Sequence, residues 1–382
     1  MLVRRVVMPA ETFAGGPPTG QYEDKGGYGQ RLDRPRFARQ PVQGISSIKP
    51  GPRRGTWWAL SDNGFGSKWN SLDYRTCIYL FDERLQLLKR VELRDPQRRF
   101  PHRLILEADP ARPLTGGDID PESLVVMADG TFWIGDEIGP WLLHFSAAGH
   151  LLAPPVTTVV ADLGTLRSPN HPEVLAGRAA ANVRASGGFE GLAASGRGAS
   201  LKFYALLEKP LPAEADPHDL RLLEFDPRLQ QWTGRWWRYR LNSPQSGVGE
   251  LASAPEGALL ALEHDYLQGD AARTKIVFQL PDPNAVPQGM ILEKSPLIDL
   301  LVLADPDHLA GPAGVFRFSY VSLESVYALD ANNWLVVNDN DFPASGGRGQ
   351  STPNPTEWLW IRRLNQVSCR AAPAQTGVEP AS

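Results

Sequence analysis

Five stretches of this chain repeat one pattern, and no other feature restricts the possible folds so tightly. The clearest copies are "DPESLVVMADGTFWIGDEIGP" from Asp120, "GFEGLAASGRGASLKFYALLEKPL" from Gly188, "VGELASAPEGALLALEHD" from Val248 and "SLESVYALDANNWLVVNDND" from Ser322. "QGISSIKPGPRRGTWWALSDNG" from Gln43 is a weaker fifth. Each copy begins with a small or acidic residue and a short apolar run. A turn rich in Gly, Asn, Asp or Pro comes next, then an apolar strand that ends in Asp, Glu or Asn. Self-similarity of this kind marks a repeat architecture, in which each unit is completed by its neighbours.

The segments between the copies identify the unit. "TCIYLFDERLQLLKRVEL", "WLLHFSAAGHLL", "LRLLEFDPRLQQWTGRWWRYRL" and "TKIVFQL" with "MILEKSPLI" add two more apolar stretches around hairpin-compatible turns. Four strands in a meander make the blade of a β-propeller. The expected fold is therefore all-β: a single propeller of four-stranded blades, five counted, with a sixth possible in "DLLVLADPDHLAGPAGVFRFSY". The last unit has only "EWLWIRRL" after its second strand, so "MLVRRVVMP" at the N-terminus is expected to supply the fourth strand. That strand would close the ring and remove the open sheet edges that invite aggregation. A two-sheet sandwich is the alternative, but it leaves the recurrence of acidic clusters without a cause. The propeller is expected to span 1–366, with 367–382 a disordered tail, and 96–118, 210–219 and 344–356 read as loops over one face.

Composition agrees and excludes some functions. The 36 Gly, 34 Pro and 11 Trp favour turns and packed strands over helices. A net charge of −4, with charges dispersed, offers no basic surface for nucleic acid. No apolar run is long enough for a membrane span, and the apolar stretch near the N-terminus is too short for a signal-peptide core. Cys77 and Cys369 do not make a disulfide framework. A monomer is expected, and the site of residence stays open.

In a propeller the first strand of each blade lines the central channel, so equivalent residues form rings. Glu122, Glu190, Glu250 and Glu324 lead their copies and are expected to converge near the axis. Asp62-Asn63, Asp136-Glu137, Glu208, Glu263-His264-Asp265 and Asn338-Asp339-Asn340-Asp341 would gather where the second strands end. Carboxylates packed together repel one another, and burial adds to the cost. Protonation, pairing with arginine or a bound cation can offset it. The donors are nearly all oxygen, which favours a hard ion such as calcium over zinc or copper. The metal-ligand candidates are Glu122, Asp136, Glu137, Glu190, Glu208, Glu250, Glu324, Asp339 and Asp341. The competing reading makes the leading glutamates clasps that accept backbone N–H groups from the next blade. Glu263, His264 and Asp265, with the cations Lys209 and Arg348 beside the acidic clusters, are the catalytic candidates. His264 suits a base or a phosphate donor, and the two cations suit an anionic substrate.

The motifs "DPESLVVMADGTFWIGDEIGPWLLHFSAAGHLL", "GFEGLAASGRGASLKFYALLEKPL", "GELASAPEGALLALEHDY" and "NDNDFPASGGR" together resemble the phytase-like domain family, known by its "esterase-like activity of phytase". The resemblance runs from about Gly44 to Leu364. It implies a calcium-using propeller that hydrolyses phosphate esters or related esters, commonly in exported bacterial proteins. By position, Glu122, Asp136, Glu137, Glu190, Glu208, Glu250, Glu263 and Asp339 fall in the family's acidic motifs. Two departures stand out: Ser186-Gly187 replaces the usual Asn-Arg before "GFEGL", and the family's "LERD" reads Leu262-Glu263-His264-Asp265 here. The expected substrate is a small ester or phosphate ester. A ligand-binding propeller without catalysis, and a metal-dependent lactonase or carboxylesterase, are the other readings.

Overall fold

The computed structural model describes residues 1–344 and 353–364. Arg348, Cys369 and the expected C-terminal tail lie outside that range. Five antiparallel four-stranded sheets succeed one another around a ring. Blade 1 comprises Ile45–Pro50, Thr56–Ser61, Cys77–Asp82 and Leu87–Glu92, and blade 2 Pro121–Val126, Phe132–Asp136, Trp141–Phe145 and Val156–Thr157. Blade 3 runs through Phe189–Ser195, Lys202–Leu207, Asp219–Asp226 and Gln231–Arg240, and blade 4 through Ser246–Ser253, Leu259–Asp265, Lys275–Leu280 and Ser295–Asp299. Blade 5 takes Leu323–Asp330, Asn333–Asn338 and Thr356–Arg362 from the end of the chain. Its outermost strand is Leu2–Met8, paired antiparallel with Thr356–Arg362. The N-terminal strand thus closes the ring as expected. The candidate sixth blade is instead a two-residue pairing of Leu303–Ala304 with Val315–Phe316 inside a connecting loop. Pro and Gly around it leave no strand long enough to build a sheet.

The alternation of side chains along each strand explains how the blades hold together. In the second strand of blade 3, Phe203, Ala205 and Leu207 enter an apolar cluster shared with blade 2. Tyr204 and Leu206, pointing the other way, enter the cluster shared with blade 4. Both faces of a blade are buried, so its strands read as near-continuous apolar runs. Each of the five blade-to-blade boundaries has its own such cluster. With full burial of a large apolar side chain contributing roughly 1.5–3 kcal/mol, these boundaries supply the main cohesion of the ring. Cys77 is buried in one of them, and desolvation pushes its thiol up to about 12, so it is not a reactive thiol. Among the described residues, no helix is long and apolar enough to cross a membrane.

All inner strands begin, and all second strands end, at the same end of the channel. The loops 96–118 and 210–218 lie at that end. So does an excursion over 9–44, which separates the last strand of blade 5 from the first strand of blade 1. The excursion is pinned to blade 1 by Asp73, which accepts from Thr19 Oγ1 (3.1 Å), the Gly20 N–H (3.1 Å) and the Gln21 N–H (2.9 Å).

Candidate metal centre

One backbone device positions the central carboxylates. Every inner strand carries a register shift at the same place: Ile45/Ser47, Pro121/Ser123, Phe189/Gly191, Val248/Glu250 and Leu323/Ser325. A bulge re-aims the residue it contains. The bulged residues are Ser46, Glu122, Glu190, Gly249 and Glu324. Glu250 is therefore one place out of the ring in which its motif seemed to put it, and Gly249 holds the equivalent position. A Cβ on Gly249 would lie 2.2 Å from the Leu323 carbonyl oxygen and 3.0 Å from Glu324 Oε2. Blade 4 thus yields its place in the ring to the glutamate of blade 5.

The residues that follow each second strand's partner of the residue before the bulge form a second tier: Asp62, Glu137, Glu208, His264 and Asp339. The two tiers interleave. Carboxylate oxygens of Glu122, Glu190 and Glu324 lie within 4.8 Å of one another, as do those of Glu137, Glu190 and Glu208, and those of Asp120, Glu122 and Glu137. Six carboxylates thus form three overlapping triads. Glu122, Glu137, Glu190 and Glu208 are only 5–8% exposed. At such separations each like-charged pair costs roughly 3 kcal/mol at an effective dielectric of about 20.

Few compensating groups are present among the described residues. Lys209 Nζ pairs with Glu208 Oε2 at 2.9 Å, and Tyr266 donates its hydroxyl to Glu208 Oε1 at 2.6 Å. Glu137 Oε1 accepts one N–H, from Gly188, at 3.3 Å. Gly188 comes this close because it has no side chain: a Cβ there would sit 2.4 Å from the Glu137 Cα. Glu190 Oε2 is buried with no hydrogen-bond partner among the described residues. The carboxyl groups respond as expected for charges in this setting. Burial, and then Glu190 and Asp120, push Glu122 well above the usual carboxylate range. Burial, then Glu324 and Glu208, does the same to Glu190, and burial together with Glu208 and Asp341 does it to Glu324. Asp62 is pushed up to about 7 by burial and then by Asp120.

An all-oxygen cluster of this kind fits a hard divalent cation. It also divides the sequence candidates. Glu122, Glu137, Glu190, Glu208 and Glu324 come together, joined by Asp120, which the motif reading passed over. Asp339 and Asp341 lie alongside and, with Asp62, line an adjoining cavity. Asp136 takes part in no triad. Its oxygens accept the Asp120 N–H (2.8 Å) and the Gly139 N–H (2.6 Å), so it positions Asp120. Glu263 is consumed by a clasp in which it accepts from the Tyr239 hydroxyl of the outer strand of blade 3 (2.7 Å), the Asn242 N–H just after that strand (2.8 Å) and Lys294, which precedes the outer strand of its own blade. His264 is fully buried, and desolvation, then Lys275, lowers it to about 3, so it makes a poor base near neutrality. Asp265 orders its own loop by accepting the Arg273 and Thr274 N–H groups at 2.6 and 2.9 Å.

Glu250 occupies the belt below the cluster. It accepts from Ser47 Oγ (2.8 Å) and Lys49 Nζ (3.1 Å), both in blade 1. This is a clasp of another kind from the one the sequence suggested, since it takes side-chain donors from a non-adjacent blade rather than backbone N–H groups from the next one. Glu250→Ala leaves Lys49 without its buried partner, and a loss of about 3 kcal/mol of stability is expected. Urea unfolding reads that loss, while calorimetric calcium titration is expected to match the parent protein.

A family model described as "Phytase-like: Esterase-like activity of phytase" matches residues 40–342. The chain belongs to this family. No curated protein matches it. Solved structures resemble it more distantly. A luciferin-regenerating enzyme is 11% identical, with a TM-score of 0.40 over 94% of this chain and 95% of that one. The PQQ-bound aldose sugar dehydrogenase of Streptomyces coelicolor is also 11% identical, with a TM-score of 0.37 over 94% and 98%. PorZ, a surface component of the type-IX secretion system of Porphyromonas gingivalis, is 12% identical, with a TM-score of 0.37 over 82% of this chain. The chain spans 34% of PorZ. At this degree of likeness none of the three bears on the chemistry of the phytase-like chain.

Proposed function

We propose that the chain is a divalent-cation-dependent hydrolase of small esters, phosphate esters foremost, with calcium as its ion. One observation carries this reading: six clustered carboxylates meet at the channel mouth, and the buried Glu190 Oε2 has no partner among the described residues. The family's esterase-like description points the same way. Asp120, Glu122, Glu137, Glu190, Glu208 and Glu324 would hold the cation. When bound, it would neutralise the cluster, polarise the ester's oxygens and lower the pKa of water.

The chain supplies the remaining parts. Asp339 and Asp341 line the cavity beside the cluster. Asp341 accepts from Ser322 Oγ at 3.1 Å through Oδ1 and shares a side-chain hydrogen bond with Asp339, and its carboxylate would take a proton from the attacking water and return it to the departing alcohol oxygen. Lys209, anchored on Glu208, presents a positive charge to the anionic oxygens of the substrate. Treatment with EDTA is expected to abolish phosphomonoester hydrolysis, and added calcium to restore it. Activity indifferent to EDTA, or absent at every calcium concentration, overturns the reading.

A further inference from the structure

The cavity beside the cluster has two unlike walls. Asp62, Asp339 and Asp341 form one, and Phe65, Phe342 and Pro343 the other, around a volume of about 110 Å³. The aromatic wall is backed in depth. Phe37 lies 5.9 Å from Phe65 and 5.3 Å from Phe342 between ring centroids, and Phe13 lies 5.8 Å from Phe37. Tyr74 meets Phe65 edge-on at 5.5 Å. The four phenylalanines come from the 9–44 excursion, a loop of blade 1 and a loop of blade 5, and none belongs to a blade-to-blade core. Three unrelated segments thus place one continuous apolar surface against the carboxylates.

Cations near the cluster are few among the described residues, and they are already engaged. Lys275 is buried against Asp265 Oδ1 (3.2 Å) and the Val321 carbonyl (3.0 Å), and Lys68 is buried on the Gly117 carbonyl. Lys209 is paired with Glu208 and brings a single, half-neutralised charge to a substrate oxygen. Arg39 lies over the Phe13 ring at 5.8 Å. A substrate with many phosphates would need far more positive charge than this.

Building on the hydrolase reading above, we propose that this site takes esters of low charge with one compact apolar arm, which lies against Phe65 and Phe342 while the ester faces the carboxylates. At about 110 Å³ the cavity is smaller than the apolar cavity of about 150 Å³ that accommodates benzene, so it suits a short alkyl group or a single ring laid partly within it against Phe65 and Phe342. In the reaction, the oxygen of water bonds to phosphorus or to the acyl carbon as the bond to the arm's oxygen breaks. That oxygen leaves carrying a proton taken from the water.

The test compares substrates whose leaving alcohols have similar acidity, so that chemistry does not mask binding. Benzyl phosphate is set against glycerol 2-phosphate and benzyl acetate against 2-hydroxyethyl acetate, with inositol hexakisphosphate as the polyanion, all on the calcium-loaded full chain. The benzyl compounds are expected to lead in kcat/KM by about tenfold or more. Phe65→Ser is expected to lower the benzyl-to-glyceryl ratio about tenfold, and Phe65→Leu to lower it less, with thermal melting confirming that both variants are folded. Equal turnover of both arms, a preference for glyceryl or inositol phosphates, or an unchanged ratio in Phe65→Ser overturns this inference and leaves the hydrolase reading standing. Hydrolysis of none of them overturns both.

Discussion

Glu190→Gln is expected to weaken calcium binding about a hundredfold and to abolish calcium-dependent hydrolysis, while the metal-free protein melts no lower than the parent. Glu190 belongs to two of the three carboxylate triads, and its Oε2 has no hydrogen-bond partner among the described residues. Replacing it removes a carboxyl group whose charged form is opposed in the empty site by burial and by Glu324, Glu208, Glu137 and Asp120, with Lys209 the one attractive charge among the described neighbours. Glutamine keeps the shape and loses the repulsion, so the empty site gains. In the loaded site one anionic contact is missing, worth roughly 3 kcal/mol, or about a hundredfold in affinity. Calorimetric titration with calcium chloride and thermal melts in EDTA read the two effects separately. A variant that binds calcium normally but melts several degrees lower would identify Glu190 as a clasp and end its role as a ligand.

The second large effect is on stability as a function of pH. In metal-free protein, stability is expected to fall as pH rises from about 5 to 8, the reverse of ordinary acid denaturation. Asp62 and Asp136 are held up to about 7 by burial, and Glu122, Glu190 and Glu324 stand well above the usual carboxylate range. Over that span the native state retains protons that the unfolded chain releases. Their contribution is complete below the unfolded pKa near 4 and is lost as pH passes through the raised native values. For Asp136 alone the difference is on the order of 4 kcal/mol. Calcium would replace those protons at the triads, so millimolar calcium is expected to remove much of the slope, leaving the share of the raised groups outside them, Asp62, Asp136 and Glu250, each held up to about 7. Melting temperatures across pH 5–8, with EDTA and with calcium, test this. A flat profile in EDTA would mean that the cluster is already compensated from within the chain.

The one-residue displacement of Glu250 shows where sequence reasoning stopped. "GFEGL" and "VGEL" look alike, and both glutamates precede an apolar run. The bulge falls on Glu190 in one strand and on Gly249 in the other, and a shift of one place turns a side chain to the opposite face. Glu263 gave a similar impression for a different cause. It lies in an acidic motif, yet it is neutralised by Tyr239 and Lys294, which are separated from it in the chain by an intervening strand or loop. Asp120 was visible as the start of a repeat, but its place among the clustered carboxylates depends on Asn63, which donates its backbone N–H and its side-chain amide at 3.1 and 2.6 Å.

The amino-acid order by itself determined the five blades, the closure of the ring by its N-terminal strand and the gathering of acid at one end of the channel. Strand periodicity, hairpin turns and recurring motifs are local properties, and they survive any arrangement of the loops. Only the tertiary structure decided which carboxylates meet and which are clasped away, and that Phe13, Phe37, Phe65 and Phe342 form one wall. A bulge changes orientation without changing the hydrophobic pattern, and contacts between distant loops leave no periodic trace in the chain.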